Sequence, residues 1–405
     1  MNSFEGKCTT CPGGCATDED AGFMITEQFG PFNQKNDIFN RSFWDPSIHT
    51  EKTELFYESY RKPLKEWRHV DGYDQKDFAL RNAGWHVADF FAERLENEDR
   101  REGFLDYLTS QREGASEQRN VESPEAMAEE VKKAAKLFGA DLVGITYHDE
   151  RWVYTHKYSR DREDEKEMDL PDNFVSVIVV CHEMDHDLLE TAPSALSGTA
   201  TGVGYSQDAI TLLALAQYIQ NLGYNAVASM NDTALSIPLA IKAGLGEYGR
   251  HGLLITPELG PRLRIGKVFT DLPLAHDRPK QFGVKEFCEI CRRCSDGCPT
   301  KAIPVDDPSE RIYNRSNISG IRKWTVDAEK CFDFWVKQVT DCSICLRVCP
   351  YNRDYPSWVN RLRFRLMGSF LRSFMLWLDN TLGGGKRKTP RWWWGEKNNI
   401  FAGKI

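Results

Sequence analysis

Cys288-Glu-Ile-Cys291-Arg-Arg-Cys294-Ser-Asp-Gly-Cys298-Pro299 spaces four cysteines as C-x2-C-x2-C-x3-C-P. This is the run that holds a cubane [4Fe–4S] cluster. Downstream, Cys342-Ser-Ile-Cys345-Leu-Arg-Val-Cys349-Pro350 repeats most of it as C-x2-C-x3-C-P, and Cys331 stands eleven residues before Cys342. A cubane takes four thiolates, so these eight cysteines suffice for two clusters. Where two such runs share a module, the fourth cysteine crosses to the other cluster. The expected sets are therefore Cys288, Cys291, Cys294 with Cys349, and Cys331, Cys342, Cys345 with Cys298. A zinc site uses two C-x2-C knuckles and has no use for a third cysteine followed by x3-C-P. Disulfide frameworks belong to short secreted chains, whereas this chain has 405 residues and only 12 cysteines.

That length suggests two or three structural units. The net charge is -8, so a nucleic-acid footprint is not expected. Aromatic residues make up 12% of the chain, eleven of them tryptophan, which suits both core packing and an apolar cavity. No apolar run reaches the ~18 residues of a membrane-spanning helix. Met1 to Thr10 has neither a basic nor an apolar signal region, and no twin-arginine signal occurs. The expectation is a cytoplasmic protein, or a periplasmic, membrane-associated one if an export signal has been removed.

Residues 1–110 read as an N-terminal segment wrapping the core, with Phe32 to Trp44 as an extended stretch laid over another domain and 75–110 as helical. Cys8, Cys11 and Cys15 resemble half a metal site without a fourth ligand. Gln111 to Glu122 is the linker candidate. Ser123-Pro124 then caps and opens a helix to about Phe138, closed by Gly139. Strands are expected at Asp141–Thr146, Val175–Cys181, His251–Thr256 and Arg264–Phe269, with helices at Ala209–Leu222 and Leu235–Ala243. This alternation indicates an α/β core over 121–280. Gly244-Leu-Gly246-Glu-Tyr-Gly249 matches G-x-G-x-x-G but follows a helix and leads to a strand, the reverse of the dinucleotide fingerprint. Its glycines read as a tight turn or as backbone close to a ligand, and NAD(P) is not expected. The cluster module occupies 281–351. The tail, 352–405, holds 11 basic and 3 acidic residues, or +8, which leaves -16 for residues 1–351. Its mixture of arginine with large apolar residues can lie on a membrane surface, pack on the domain, or pair with a second subunit.

Five stretches of the core carry a resemblance: Thr201-Gly-Val-Gly-Tyr205-Ser, Gly223 to Asn231-Asp-Thr, Pro238 to Pro257, Gly260-Pro-Arg-Leu-Arg264-Ile, and Val268 to Leu274. Together with the asymmetric cysteine motifs and Lys323-Trp324, they resemble the reductive dehalogenases, with gaps, from about Phe32 to Trp335 and Asn352. The resemblance implies a fold of α+β or α/β class: a nitroreductase-like core binding a base-off corrinoid (cobalamin), beside a bacterial-ferredoxin-like module with two [4Fe–4S] clusters. No D-x-H-x-x-G motif occurs, so no protein histidine ligand to cobalt is indicated. Tyr205 matches the family's catalytic tyrosine, Arg264 its partner arginine, and Asn231 an asparagine where some relatives carry lysine. Thr201 and Trp44, with Phe39 and Trp85, are candidates to line the substrate cavity, and Gly244 and Gly246 to lie at the cofactor pocket.

These residue types suit the chemistry implied. Replacing carbon–halogen with carbon–hydrogen takes two electrons and a proton, and halide leaves. The corrinoid does the electron chemistry, while the protein positions and protonates. Tyrosine is a poor acid unless its anion is stabilised, which a neighbouring arginine and asparagine would do. The implied partners are a small organohalide and an electron donor, whether ferredoxin, flavoprotein or a quinone-linked membrane partner. A homodimer and a peripheral membrane contact through the tail are further expectations. A rival resemblance is to epoxyqueuosine reductase, which shares the two-cluster layout and an Ala-Gly-Leu-Gly stretch. That family places an acidic proton donor near Asp-Tyr-His, where this chain has Gly204-Tyr205-Ser206-Gln207, and tRNA would require a basic surface. A non-catalytic electron carrier would need the cluster module but not the large core.

Overall fold

The computed structural model describes residues 16–65, 68–92, 108, 112–159 and 164–395. Cys8, Cys11 and Cys15 lie outside them. Three helices precede the core: α1 (Ile38–Trp44), α2 (Glu51–Arg61) and α3 (Gln75–Ala92). The core runs through α4 (Pro124–Leu137), β1 (Leu142–Tyr147), β2 (His156–Ser159), β3 (Asp164–Glu167), β4 (Ser176–Glu183), α5 (His186–Glu190) and α6 (Ala195–Asn221). It continues through β5 (Ala226–Ser229), α7 (Ser236–Lys242), β6 (Glu247–Tyr248), β7 (Leu254–Ile255) and β8 (Leu263–Thr270). The cluster module holds α8 (Val284–Ile290), α9 (Arg293–Gly297), α10 (Ala328–Gln338) and α11 (Ile344–Val348). The tail forms α12 (Ser357–Met367), α13 (Arg372–Thr381) and α14 (Pro390–Trp393).

The central sheet has the order β1-β4-β8-β5, and each adjacent pair is antiparallel. β4 and β5 therefore run parallel to one another, as the crossover through α6 requires, but β8 enters between them in the opposite sense. The helix–strand alternation is real, yet the inserted β8 makes the core α+β rather than doubly wound α/β. Both faces are covered. Met127 and Val131 of α4 and Leu212, Leu215 and Ile219 of α6 pack on Ile178, Val180 and Val268. Leu239 and Ile241 of α7, with Trp152 and Phe174, pack on Val177, Val179 and Phe269. The alternate residues of β4 thus serve opposite faces, which is why that strand reads as a continuous apolar run.

Local signals account for most boundaries. Ser123 caps α4 by accepting the Ala126 N–H at 3.2 Å, with Pro124 in the first turn. Gly223, at φ +85°, ends α6. Two expectations need correction. Phe32 to Trp44 is not extended: Asn33 and Asp37 cap a short 3-10 turn and α1 through Lys35 N–H and Phe39 N–H. His251 to Thr256 is a strand only at Leu254–Ile255, because Gly252 turns the chain at φ +80°. The segment nevertheless lies over its neighbours. Phe39 and Phe56 meet Phe332 of α10 edge-on at 5.6 and 5.7 Å, and Phe23 and Phe29 pack on Trp152. Among the described residues no helix is long and apolar enough to cross a membrane.

Candidate active site

α6 begins fourteen residues before the expected Ala209, capped by Ser194, whose hydroxyl accepts the Ser197 N–H at 3.0 Å. Its first half is rich in glycine, serine and threonine, poor helix formers that propensity alone would leave as loop. Here those small residues admit close neighbours. A side chain at Gly202 would stand 2.4 Å from the Trp85 ring, and one at Gly204 2.6 Å from Arg264 Cγ. The clearance at Gly204 lets Arg264, on β8, lie along the helix beside Tyr205.

Tyr205 is buried, 8% exposed, and its hydroxyl oxygen is the focus of the site. Asn231 Nδ2 donates to it at 2.7 Å and Arg264 Nη1 at 3.2 Å. The Arg264 guanidinium carbon lies 5.2 Å from the ring centroid, and the Trp85 ring packs at 5.1 Å with an interplanar angle of 38°. Asn231 is exposed and Arg264 half-buried, so the buried phenol has a polar edge open to solvent. The three residues expected to work together are therefore brought together, from a helix, a loop and a strand.

The loop that carries Asn231 is held on every side. The buried Asp232 carboxylate accepts Met230 N–H at 2.8 Å, and Tyr154 Oη donates to the Asn231 carbonyl at 3.3 Å. Thr233 sits at φ +68°, a strained value for a β-branched residue. From the sheet, Lys267 Nζ donates to the Met230 carbonyl and to Ser236 Oγ at 2.9 Å. Burial pulls Lys267 down to about 8, although Asp232 and Asp208 oppose it. Sequence reasoning missed this lysine; the available signal was a cation in the middle of an apolar strand. It also missed His182, the cross-strand neighbour of Arg264, whose Nδ1 lies 2.6 Å from Asp208 Oδ1, one helical turn past Tyr205.

Other expected residues sit elsewhere. Thr201 Oγ1 donates at 2.9 Å to Asp341, the residue before Cys342, and so ties α6 to a cluster loop. Trp44 donates from its ring N–H to the Lys35 carbonyl at 2.9 Å and packs near Lys35 and Arg315, whereas Trp85 is the tryptophan on Tyr205. Gly244, at φ +72°, closes α7, and a side chain there would stand 2.4 Å from the Arg278 carbonyl. One at Gly246 would stand 2.3 Å from the Ile255 carbonyl, so the chain's own backbone occupies the space these glycines leave.

The cysteines gather in two groups. Burial raises the Cys288 thiol, and Cys349, Cys294 and Cys291 raise it further. Burial also pushes Cys331 and Cys342 up to about 12, Cys298 adding to both and Cys331 to Cys342. Cys345 feels Cys342, Cys331 and Cys298, with Cys294 of the other group. Buried thiols this reluctant to ionise release protons when iron takes them. Among the described residues no three side chains converge as they would on a single metal ion. A cubane does not ask for that, because each thiolate holds a different iron.

A 4Fe–4S double cluster binding domain matches residues 287–352, and the reductive dehalogenase subunit model matches residues 159–274. The chain is 38% identical over 282 residues to a tetrachloroethene reductive dehalogenase of Desulfitobacterium hafniense, covering 58% of this chain and 50% of the relative. The corresponding enzyme of Sulfurospirillum multivorans is 34% identical over 306 residues, 69% of this chain and 61% of the relative. The chain belongs to the reductive dehalogenase family. It spans between half and about three-fifths of the length of these curated relatives. A solved catabolic reductive dehalogenase in complex with 3-bromo-4-hydroxybenzoic acid shares the fold, with TM-score 0.69 and 24% identity over 90% of this chain and 48% of that one. A more distant kinship is to epoxyqueuosine reductase of Lactococcus garvieae, 31% identical over 149 residues, 35% of this chain and 40% of that one. As a family member, the chain pairs a dehalogenase-type α+β domain with a double-cluster module.

Proposed function

We propose that this reductive dehalogenase family member replaces a carbon–halogen bond of a small organohalide with carbon–hydrogen. The overall step is R–X + 2e⁻ + H⁺ → R–H + X⁻, with both electrons supplied by an external reductant through the two clusters. One observation carries the reading: a buried tyrosine hydroxyl, Tyr205, accepts N–H bonds from Asn231 at 2.7 Å and Arg264 at 3.2 Å. With both acceptor positions of the phenol oxygen filled, its own proton is what it has to give. The same two donors stabilise the phenolate left behind, Arg264 by charge and Asn231 by a preorganised dipole. Trp85 fixes the ring plane against which a substrate carbon is presented.

A corrinoid, when bound, supplies the strong two-electron donor that breaking a carbon–halogen bond requires. The residues present suit such a group. Thr199 Oγ1 on α6, His251 Nε2 on the 249–252 turn, and both amide atoms of Asn352 after the last cluster cysteine are buried without a hydrogen-bond partner among the described residues. A macrocycle fringed with amides offers partners to all three. Burial holds His251 down at about 4, so its imidazole is neutral, and because Nδ1 accepts the Leu253 N–H at 3.2 Å, Nε2 carries the proton and can donate. Cys288, Cys291, Cys294 and Cys349 would ligate one cluster, and Cys331, Cys342, Cys345 and Cys298 the other.

The test uses anaerobically reconstituted protein assayed for iron, corrinoid and halide release, with reduced viologen and a panel of chlorinated and brominated ethenes and phenols. Corrinoid near one per chain, about eight irons, and halide release that Tyr205→Phe abolishes are the expected results. Iron without corrinoid would overturn the reading of the core. Both cofactors without halide from any substrate would shift the reading toward epoxyqueuosine chemistry.

A further inference from the structure

The α12–α13 hairpin has two unlike faces. Its inner face packs Phe364, Met367 and Met375 into the apolar cluster that contains Cys288, Cys291 and Cys349. One buried carboxylate, Asp379, clamps the hairpin in place. It takes Arg353 Nε at 2.9 Å and Nη2 at 2.8 Å, Arg363 at 3.2 Å, and Arg293 of α9. The hairpin is thus a fixed part of the module.

Its outer face is apolar, aromatic and basic. On α12 the exposed positions Trp358, Arg361, Leu362 and Arg365 recur at helical spacing, one face of the helix. The turn exposes Phe370 to 88%, and α13 exposes Phe374 and Trp377, whose rings stack at 5.7 Å. Large exposed apolar side chains grouped this closely are unusual for a protein surface facing only water. We propose that this outer face is a docking surface for anionic lipid bilayers, with the tryptophan and phenylalanine rings entering the headgroup region and the arginines meeting lipid phosphates.

Charge selects that occupant over a second copy of the chain. On α12 and α13 the exposed charges are Arg361 and Arg365, and the one carboxylate there, Asp379, is buried, whereas residues 1–351 carry -16. A negative membrane therefore attracts this face and repels the rest of the chain, which orients the molecule. A second copy would bring the same arginines against themselves in an isologous pair. Arginine interleaved with tryptophan and phenylalanine is the composition that holds a helix at a lipid interface. Docking would set the Cys288 group, directly beneath the hairpin, on the membrane side. The inference is independent of the dehalogenation chemistry.

The experiment is co-sedimentation of the cluster-loaded full chain with vesicles of phosphatidylcholine alone or mixed with phosphatidylglycerol, at low and high salt. Expected are binding to the anionic vesicles roughly tenfold or more tighter than to the neutral ones, and weakening with salt. A double variant Phe374→Glu/Trp377→Glu should lose the binding, and Arg361→Gln/Arg365→Gln should lose the preference for anionic lipid. All are surface changes, so far-UV circular dichroism and iron content should stay at wild-type values. Failure of the wild type to bind either vesicle, or equal binding by the charge-inserted variant, would overturn the proposal. So would a dimer, seen by light scattering, that the same variants split while no vesicle binding occurs.

Discussion

At the scale of single residues, the site depends on side chains that never reach its surface. Lys267 holds the Met230 carbonyl and Ser236, and so fixes the turn from which Asn231 reaches Tyr205. Lys267→Met keeps the volume and removes both bonds, so we expect roughly a tenfold loss of halide-release rate. Substrate KM should change little, and Asn231→Ala should add almost nothing in the Lys267→Met background. Additive losses in that double-mutant cycle would show that the lysine acts elsewhere. A second buried charge belongs to stability rather than chemistry. Asp149 meets Lys242 at 2.9 Å and Arg151 at 2.7 Å. Burial alone would raise its carboxyl, but the Arg151 hydrogen bond and the charges of Lys242 and Arg151 outweigh that and hold it at about 2. A depressed carboxyl stabilises the fold above its ordinary pKa and loses that contribution as pH falls toward the depressed value. The contribution is about 2 kcal/mol at pH 7 by this linkage. Asp149→Asn should cost at least that much in urea unfolding, since it also strands Lys242. The gap between the two proteins should close as pH falls from about 4 toward 2. A gap that stays constant with pH would refute the assignment.

At the scale of elements, α6 shows where sequence is legible and where it is not. Its second half, from Ala209, is apolar on most sides and reads as a buried helix. Its first half carries glycine at 198, 202 and 204, which argues against a helix by propensity. What makes it helical is contact: Asp341 lies against Gly198, Trp85 against Gly202 and Arg264 against Gly204. The weak helix formers mark the places where other elements must approach, so the stretch hardest to read locally is the one that builds the site. β8 was legible as a strand but not as the strand inserted between β4 and β5, because sheet order is a long-range choice. Cysteine spacing, by contrast, is local and rigidly tied to ligand geometry, so the two proposed sets can be written down without knowing the sheet order. Two glycine variants separate packing from chemistry. An alanine Cβ at Gly202 meets the Trp85 ring and, at 2.8 Å, its backbone nitrogen, so α3 must move; about 1–3 kcal/mol of stability should go. At Gly204 it meets only the flexible Arg264 side chain, so Gly204→Ala should melt near wild type while halide release falls about tenfold or more. Thermal melts beside halide assays would decide it, and equal behaviour of the two variants would contradict this division.

At the scale of the molecule, the two cysteine groups stand in different surroundings, and with the proposed clusters bound that would set an order for electrons. Cys345 and Leu346 pack with Leu196 and Ala200 of α6, and Asp341 next to Cys342 accepts the Thr201 hydroxyl at 2.9 Å. The Cys331, Cys342, Cys345, Cys298 group therefore adjoins the helix of Tyr205. Cys288, Cys291 and Cys349 pack instead with α8 and the α12–α13 hairpin. Electrons would enter at the second of these groups and leave for the site from the first. Under the proposed crossed ligation the two fourth cysteines are informative, because each would sit in the sequence motif of the other cluster. Either Cys298→Ala or Cys349→Ala should reduce iron from about eight to about four per chain. Their activities should differ. Cys298→Ala removes the cluster beside α6 and should abolish viologen-driven halide release. Cys349→Ala removes the outer cluster, which a small diffusible reductant can bypass, so part of the activity should survive. Without crossing, Cys298 would belong to the outer cluster and Cys349 to the inner one, and the order of the two activities would invert.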